Sequence, residues 1–342
     1  MVAAAVHAAG ARAGLFTSPH LVDVRERFQV AGQPIPAGAF AAWVARLRPV
    51  IETTGASFFE ATTAIAMADF AARHVDVAVV EVGLGGRLDS TNALAPAMTA
   101  VTNVSLDHTD YLGTDPAAIA REKAGIAKPG VPMVIGEPDP SLVAVLRAEV
   151  ERRGGVAVVV DPDLRYGGPL GTAGFHQRRN AAIARTILEA MPGLPPLPGD
   201  AVRSGLATVR VPGRFERRGR WILDVAHNPA GVEALVATLE AEAPARPLHA
   251  VFAALADKDR PRMVRLLSRV VDRIWVSVPP SAPPDRGVPP AALETGPGLV
   301  SEPEFHRALD EAQRDAGTVL VTGSFHTVGA AMVRLPGFRP FG

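Results

Sequence analysis

Apolar residues in this chain gather in short unbroken runs instead of alternating with polar ones. DVAVVEVG (76–83), MTAVTNV (98–104), VPMVIGE (131–137) and VAVVVD (156–161) form a first set, and WILDVAHN (221–228), LHAVFAAL (248–255), RIWVSVP (273–279) and TVLVTGS (318–324) a second. Runs of this length, rich in β-branched residues, predict strands buried on both faces of a mainly parallel sheet. Helical periodicity fills the gaps: 60–73, 115–127, 140–152 and 175–190 in the first set, then 229–242, 260–270, 303–315 and 326–334. Between the sets lies a proline-rich break, MPGLPPLPGD. The pattern predicts two α/β domains joined close to 211–216, here taken as 1–212 and 213–342. MVAAAVHAAG at the start reads as an alanine-rich helix with Gly10 as its C-cap, without an N-cap or a strand before it.

Composition narrows the function classes. At 342 residues, 48% apolar and 20% charged, the chain has the balance of a globular protein with room for two cores. Formal net charge is zero, so no electrostatic footprint for nucleic acid or an anionic membrane exists at whole-chain level. The absence of cysteine excludes disulfides and thiolate chemistry and fits a reducing cytoplasm. No run approaches the roughly 18 apolar residues of a membrane span.

In open parallel sheets ligands sit beyond the carboxyl ends of the strands, so the polar residues ending each run carry the candidate chemistry. Glu81 ends the first run and is followed by GLGGRLDSTN; an acidic strand end before glycines suits Mg²⁺ held near phosphates, or else a helix-capping turn. The next run ends in LDHTD, placing Asp107, His108 and Asp110 together for metal ligation or proton transfer. Lys123 stands out because only Lys123, Lys128 and Lys258 are lysines among 35 cationic residues. Unlike arginine, its amine can lose a proton, form a Schiff base or add CO₂ as a carbamate; an ordinary surface lysine is the alternative. In the second set Asp224, His227 and Asn228 precede a helix N-terminus suited to an anion, with Arg214 at the domain junction. The same DVAHNP serves equally as an N-cap.

Taken in order, LFTSPHLVDVRERFQVAGQPI, FFEATTAIA, VVEVGLGGRLDSTNAL, VTNVSLDHTDYLG, REKAGIAKPG, PGRFE, ILDVAHNP and VTGSFHTVG resemble the folylpolyglutamate synthase and dihydrofolate synthase family of the Mur ligase superfamily. The resemblance implies a P-loop NTPase-type parallel-sheet domain followed by a smaller Rossmann-like α/β domain. It implies ATP-dependent ligation of L-glutamate to dihydropteroate or a folate through an acyl phosphate, by a monomer. Mg²⁺ would be held by Ser18, Glu81, His108 and Lys123, the last as a carbamate, with Glu81, His108 and Lys123 forming the catalytic set. Nucleotide contacts would fall to Asn180, Arg214, Asp224 and His227. The pterin-bearing substrate would meet Phe59, Glu60, Ala61 and Thr62 on one loop and Leu88, Asp89 and Ser90 on another.

One departure bears on activity. The family's glycine-rich phosphate loop, of the GTNGKGS type, has no match in residues 1–342, and Met1 falls within the helix that such a loop would open. The 342 residues alone are therefore expected to bind ATP weakly, to lack ligation and to aggregate along an unpaired strand edge. A bifunctional ligase is the leading reading, with a monofunctional folylpolyglutamate synthase close behind it. A non-catalytic paralogue that binds folate or a partner is the competing class.

Overall fold

The computed structural model describes residues 1–106, 109–194 and 196–339. Its strands are β1 (Ala13–Phe16), β2 (Phe28–Val30), β3 (Gln33–Pro34), β4 (Val77–Val80), β5 (Thr99–Val101), β6 (Pro132–Ile135), β7 (Val156–Val159), β8 (Glu216–Arg218), β9 (Trp221–Asp224), β10 (Leu248–Phe252), β11 (Arg273–Val276), β12 (Leu299–Ser301) and β13 (Thr318–Thr322). Each of the eight apolar runs contains one strand. The chain divides into two compact units. Met1–His20, Arg25–Gly171 and Gln177–Val209 form the first; Leu21–Val24, Thr172–His176 and Arg210–Gly342 form the second.

The first unit holds two sheets, ordered β3-β2-β1-β4 and β5-β6-β7. β1 and β4 are parallel, with Phe16 opposite Val80, while β2 runs antiparallel to β1. One helix, Phe175–Ala190, ties the two sheets together. Its Leu188 packs with Ala13 and Val77 of the first sheet, and its Ile183 with Val134 and Ala100 of the second and with Met98 just before β5. Among the described residues no strand pairs with the outer edge of β4 or of β5. β4 is accordingly half-exposed, with Ala78 open to solvent, although its sequence is wholly apolar. An apolar strand with a bare edge is a template for association.

In the second unit six strands run β12-β11-β10-β13-β9-β8, all parallel except β8. Successive side chains of a strand face opposite ways, and both faces here are covered. Ile222, Ala250, Phe252, Ile274 and Leu320 enter one core, while Leu223, Val251, Trp275, Val319 and Val321 enter the other. That double burial is why these strands read as unbroken apolar runs.

Three features differ from the pattern-based expectation. The helix Ala37–Thr54 escapes it because none of its residues is buried, and an interior Pro49 interrupts the sequence. β1, β2 and β3 are too short, and too broken by Gly14 and Gly32, to stand out as runs. Between the helical stretches 260–270 and 303–315, where the pattern assigns no helix, lie two short 3₁₀ turns, at Pro284–Arg286 and Pro290–Ala292.

Helix Val2–Ala8 lies directly on helix Gly199–Thr208, where a Cβ on Gly205 would sit 2.6 Å from the Ala4 carbonyl oxygen. Gly205→Ala is therefore expected to lower stability by about 1–3 kcal/mol through overpacking. Gly199→Ala, where a Cβ meets nothing within 4 Å, is expected to change stability little. Urea denaturation of both variants checks this; equal effects would show that backbone contact at Gly205 does not set the packing.

Candidate active site

Parallel pairing of β1 with β4 brings two distant stretches together at their carboxyl ends. The Glu81 N–H donates to the Phe16 carbonyl at 2.9 Å, and the Ser18 N–H donates to Glu81 Oε2 at 2.8 Å. The carboxylate is thus aimed by backbone, at a strand end open to solvent. Just beyond it, Val82–Gly85 line a cavity of about 200 Å³ with Ser105, Leu112 and Lys123.

Lys123 reaches that cavity because its helix is fixed on both sides. Helix Pro116–Ala124 starts at Asp115, whose carboxylate accepts from the Ala117 N–H at 2.9 Å, with proline at the first helical position. Ala120 and Ala124 sink into the core with Val101, Met133 and Ile135. Over the helix's last turn lies the glycine loop. A Cβ on Gly86 would stand 2.9 Å from the Lys123 carbonyl oxygen, and one on Gly125 would stand 2.3 Å from Arg87 Cβ. Only glycine permits this approach. Arg87 completes the clamp, its N–H donating to the Glu122 carbonyl and its Nε to the Glu122 carboxylate at 2.9 Å.

The two stretches assigned to the pterin-bearing substrate lie side by side, joined by the Thr63 and Ser90 hydroxyls at 2.9 Å. Several of their side chains are committed locally. Asp89 accepts from the N–H groups of Gly83 and Leu84, both at 3.0 Å, and from the N–H and hydroxyl of Thr91. It organises the glycine loop. Thr62 is 2% exposed, its hydroxyl donating to the Phe59 carbonyl. Glu60 closes a capping box with Ser57, whose hydroxyl and N–H hold its carboxyl below the ordinary range. Phe59 is wedged between Phe16, at 5.7 Å between ring centres, and Gly83. Ala61 is half-buried, and Leu88, at 79% exposed, is the most open apolar side chain of the set.

Asn180 sits on helix Phe175–Ala190, its amide donating to Gln177 Oε1 at 3.3 Å. His108, with Asp107, lies outside the described residues. Lys128 is structural: its ammonium donates to the Asn92 carbonyl at 2.7 Å, under the same loop.

In the second unit Asp224 ends β9, is buried, and accepts from the N–H groups of Phe215 at 2.8 Å and Ala226 at 2.9 Å. Burial pushes its carboxyl up, opposed by the Arg214 charge and those two hydrogen bonds. Arg214 lies over the Phe325 ring at 5.6 Å, and the His227 ring stands 5.5 Å from the same Phe325. His227 Nδ1 faces the Val225 carbonyl at 2.9 Å, which leaves the ring set by backbone. Asn228 caps helix Pro229–Glu242, accepting from the Gly231 N–H at 2.8 Å. Arg214, Asp224 and His227 are therefore brought together at one end of this sheet. Phe325 joins them without having been singled out, although GSFHTVG marked its turn.

Comparison with known proteins identifies the family and the fold. The family described as "Mur ligase, glutamate ligase domain" matches residues 213–325. The chain is 37% identical to the Escherichia coli dihydrofolate synthase/folylpolyglutamate synthase, over 95% of its own length and 80% of that protein. It is also 37% identical to a probable bifunctional folylpolyglutamate synthase/dihydropteroate synthase of Haloferax volcanii, spanning 44% of that longer protein. Among solved structures, Escherichia coli FolC in complex with ADP superposes with a TM-score of 0.87 at 34% identity, covering 97% of this chain and 84% of that one. The Yersinia pestis bifunctional folylpolyglutamate synthase/dihydrofolate synthase complexed with AMPPNP and Mn ion gives 0.85 at 32%, with coverage of 97% and 84%.

The raised Asp224 pKa has a stability consequence of definite sign. Protonation is favoured more in the folded than in the unfolded state, so this contribution is full below about pH 3.8 and is lost as pH rises through the raised folded value. Asp224→Asn should lack that component. Denaturant unfolding across this acid range checks it, and parallel pH profiles for the two proteins would contradict it.

Proposed function

The chain belongs to the folylpolyglutamate synthase/dihydrofolate synthase family, and from that premise we propose that it ligates L-glutamate to dihydropteroate or a folate, driven by ATP. The reading is carried by the strand-end carboxylate of Glu81, clasped by the Ser18 N–H, beside a glycine-loop cavity whose wall includes Lys123. A carboxylate, a hydroxyl and a strand end near glycines form a hard-oxygen set that fits Mg²⁺. A Lys123 ammonium would repel such an ion; a Lys123 carbamate would supply anionic oxygen, which arginine cannot. Ser18, Glu81, His108 and Lys123 would hold Mg²⁺, and its charge would neutralise phosphate oxygens.

The chemistry proceeds by positioning. A carboxylate oxygen of the pteroate or folate attacks the γ-phosphorus of ATP, forming an acyl phosphate as ADP departs. The glutamate amine then attacks the acyl carbon, losing a proton, and phosphate leaves. Asn180, Arg214, Asp224 and His227 hold the nucleotide in this reading. Phe59, Glu60, Ala61, Thr62, Leu88, Asp89 and Ser90 shape the substrate region, Asp89 and Thr62 through the loop and helix that they stiffen. The protein acts as a cytoplasmic monomer on small molecules.

Phosphate release by the full-length protein, dependent on ATP, glutamate and either dihydropteroate or tetrahydrofolate, tests the activity and separates bifunctional from monofunctional action. Lys123→Arg should keep the unfolding midpoint yet lose about 100-fold or more in turnover, and acetate should partly restore Lys123→Ala. Near-normal turnover by Lys123→Arg would remove the carbamate. Glu81→Gln should raise the Mg²⁺ needed for half-maximal rate by about tenfold or more; an unchanged requirement would return Glu81 to a purely structural role.

A further inference from the structure

Three arginines are buried among the described residues: Arg27, Arg179 and Arg260. Arg260 and Arg179 are each held by protein acceptors, although the Nε of each finds none among the described residues. Arg260 pairs with Glu294 at 2.7 Å, and Arg179 donates to the backbone carbonyls of Asp161, Gly136 and Val160. Arg27 is different. It is 7% exposed, and among the described residues its side chain is held by a histidine ring and not by a carbonyl or carboxylate. Its side-chain hydrogen bond runs from Nε to His20 Nδ1 at 3.0 Å. The remaining contact is the face of Phe58, 5.3 Å from the guanidinium carbon. Burial opposes the Arg27 charge more strongly than Glu26 and Glu81 favour it, so a further anion at the guanidinium would be stabilising.

Its surroundings say which one. β1 and β2 pair with Phe16 opposite Phe28, so Arg27 lies beside Thr17, whose N–H donates to the Arg27 carbonyl at 3.2 Å. The next residue is Ser18, which clasps Glu81. Glu26 and Glu81 are close enough to favour the Arg27 charge, against the burial that disfavours it. Phe58 is 60% exposed and offers an aromatic surface next to the guanidinium. With a divalent ion on Glu81, the ion and Arg27 together outweigh the two carboxylates by one positive charge.

We propose that Arg27 anchors the carboxylate of the aryl acid that is to be activated, with Phe58 beside it taking the ring that bears this carboxylate. The inference rests on the ligase reading above and names the residue that recognises its acid substrate. One carboxylate oxygen stays on the guanidinium while the other attacks the γ-phosphorus. An O–P bond forms, the bond to the departing ADP oxygen breaks with its electron pair, and no proton moves. Arg27 then faces the acyl oxygen, where negative charge grows as the amine attacks. The planar fork of arginine suits a carboxylate better than the point charge of lysine.

Calorimetry tests this on the full-length protein with Mg²⁺ and a non-hydrolysable ATP analogue, titrated with pteroic acid and with its carboxamide. Wild type should prefer the acid by about 10–100-fold, the range of a charge-assisted hydrogen bond. Arg27→Met should bring acid and amide within about threefold while nucleotide affinity stays unchanged, and Arg27→Lys should keep part of the preference. A wild type that binds both alike, or an Arg27→Met variant with undiminished preference, would overturn the proposal. If Arg27→Met fails to fold, the wild-type ratio and Arg27→Lys decide. Phosphate release can persist whatever this ratio shows, so failure here is distinct from failure of the ligase reading.

Discussion

Everything at the first unit's site hangs on the parallel pairing of β1 with β4. That register sets Phe16 opposite Val80, delivers the Ser18 N–H to the Glu81 carboxylate, and launches the glycine loop from a fixed point. The loop is then pinned twice, by Asp89 from within and by Glu122 from the helix that carries Lys123. Backbone, not side-chain flexibility, therefore sets Glu81 at the strand end and Lys123 on the wall of the cavity just beyond it. The second unit repeats the device. Asp224 ends a parallel strand and accepts two N–H groups, which fixes the turn carrying Arg214 and the helix start next to His227.

Much of the fold was legible because a strand covered on both faces must be apolar throughout; the second unit's four runs obey this, whereas β4 and β7 are apolar yet only partly covered. Elements that bury little left no such trace. Helix Ala37–Thr54 has no buried residue, and β2 and β3 form a hairpin of five residues in all. Among site residues, strand-end position pointed to Glu81 and Asp224 on physical grounds alone. The resemblance assigns Asp89 and Thr62 to the substrate, and in the structure their side chains also hold the loop and the helix start. Periodicity cannot show where a hydroxyl or carboxylate turns. Arg27 was hidden for a related reason: an arginine in a polar stretch is ordinary until it is found buried.

Lysine usage illustrates the same point. Lys128 supports the Asn92 carbonyl and Lys258 lies 3.6 Å from Asp257, so rarity alone did not mark chemistry. Lys123 differs by where it stands, on the wall of the cavity beside the glycine loop. Apolar β4 and β7, both edge strands among the described residues, have sequences that ask for more cover than those residues give them.

An acyl phosphate is the step that the whole arrangement would serve, since anchoring, charge neutralisation and a sheltered cavity all act on a carboxylate that receives a phosphoryl group. The most direct measurement supplies the full-length protein with ATP, glutamate and a pteroate substrate carrying ¹⁸O in its carboxylate, then weighs the released phosphate. One labelled oxygen in each phosphate is the expected result. Phosphate free of label, released at the rate of ligation, would contradict it.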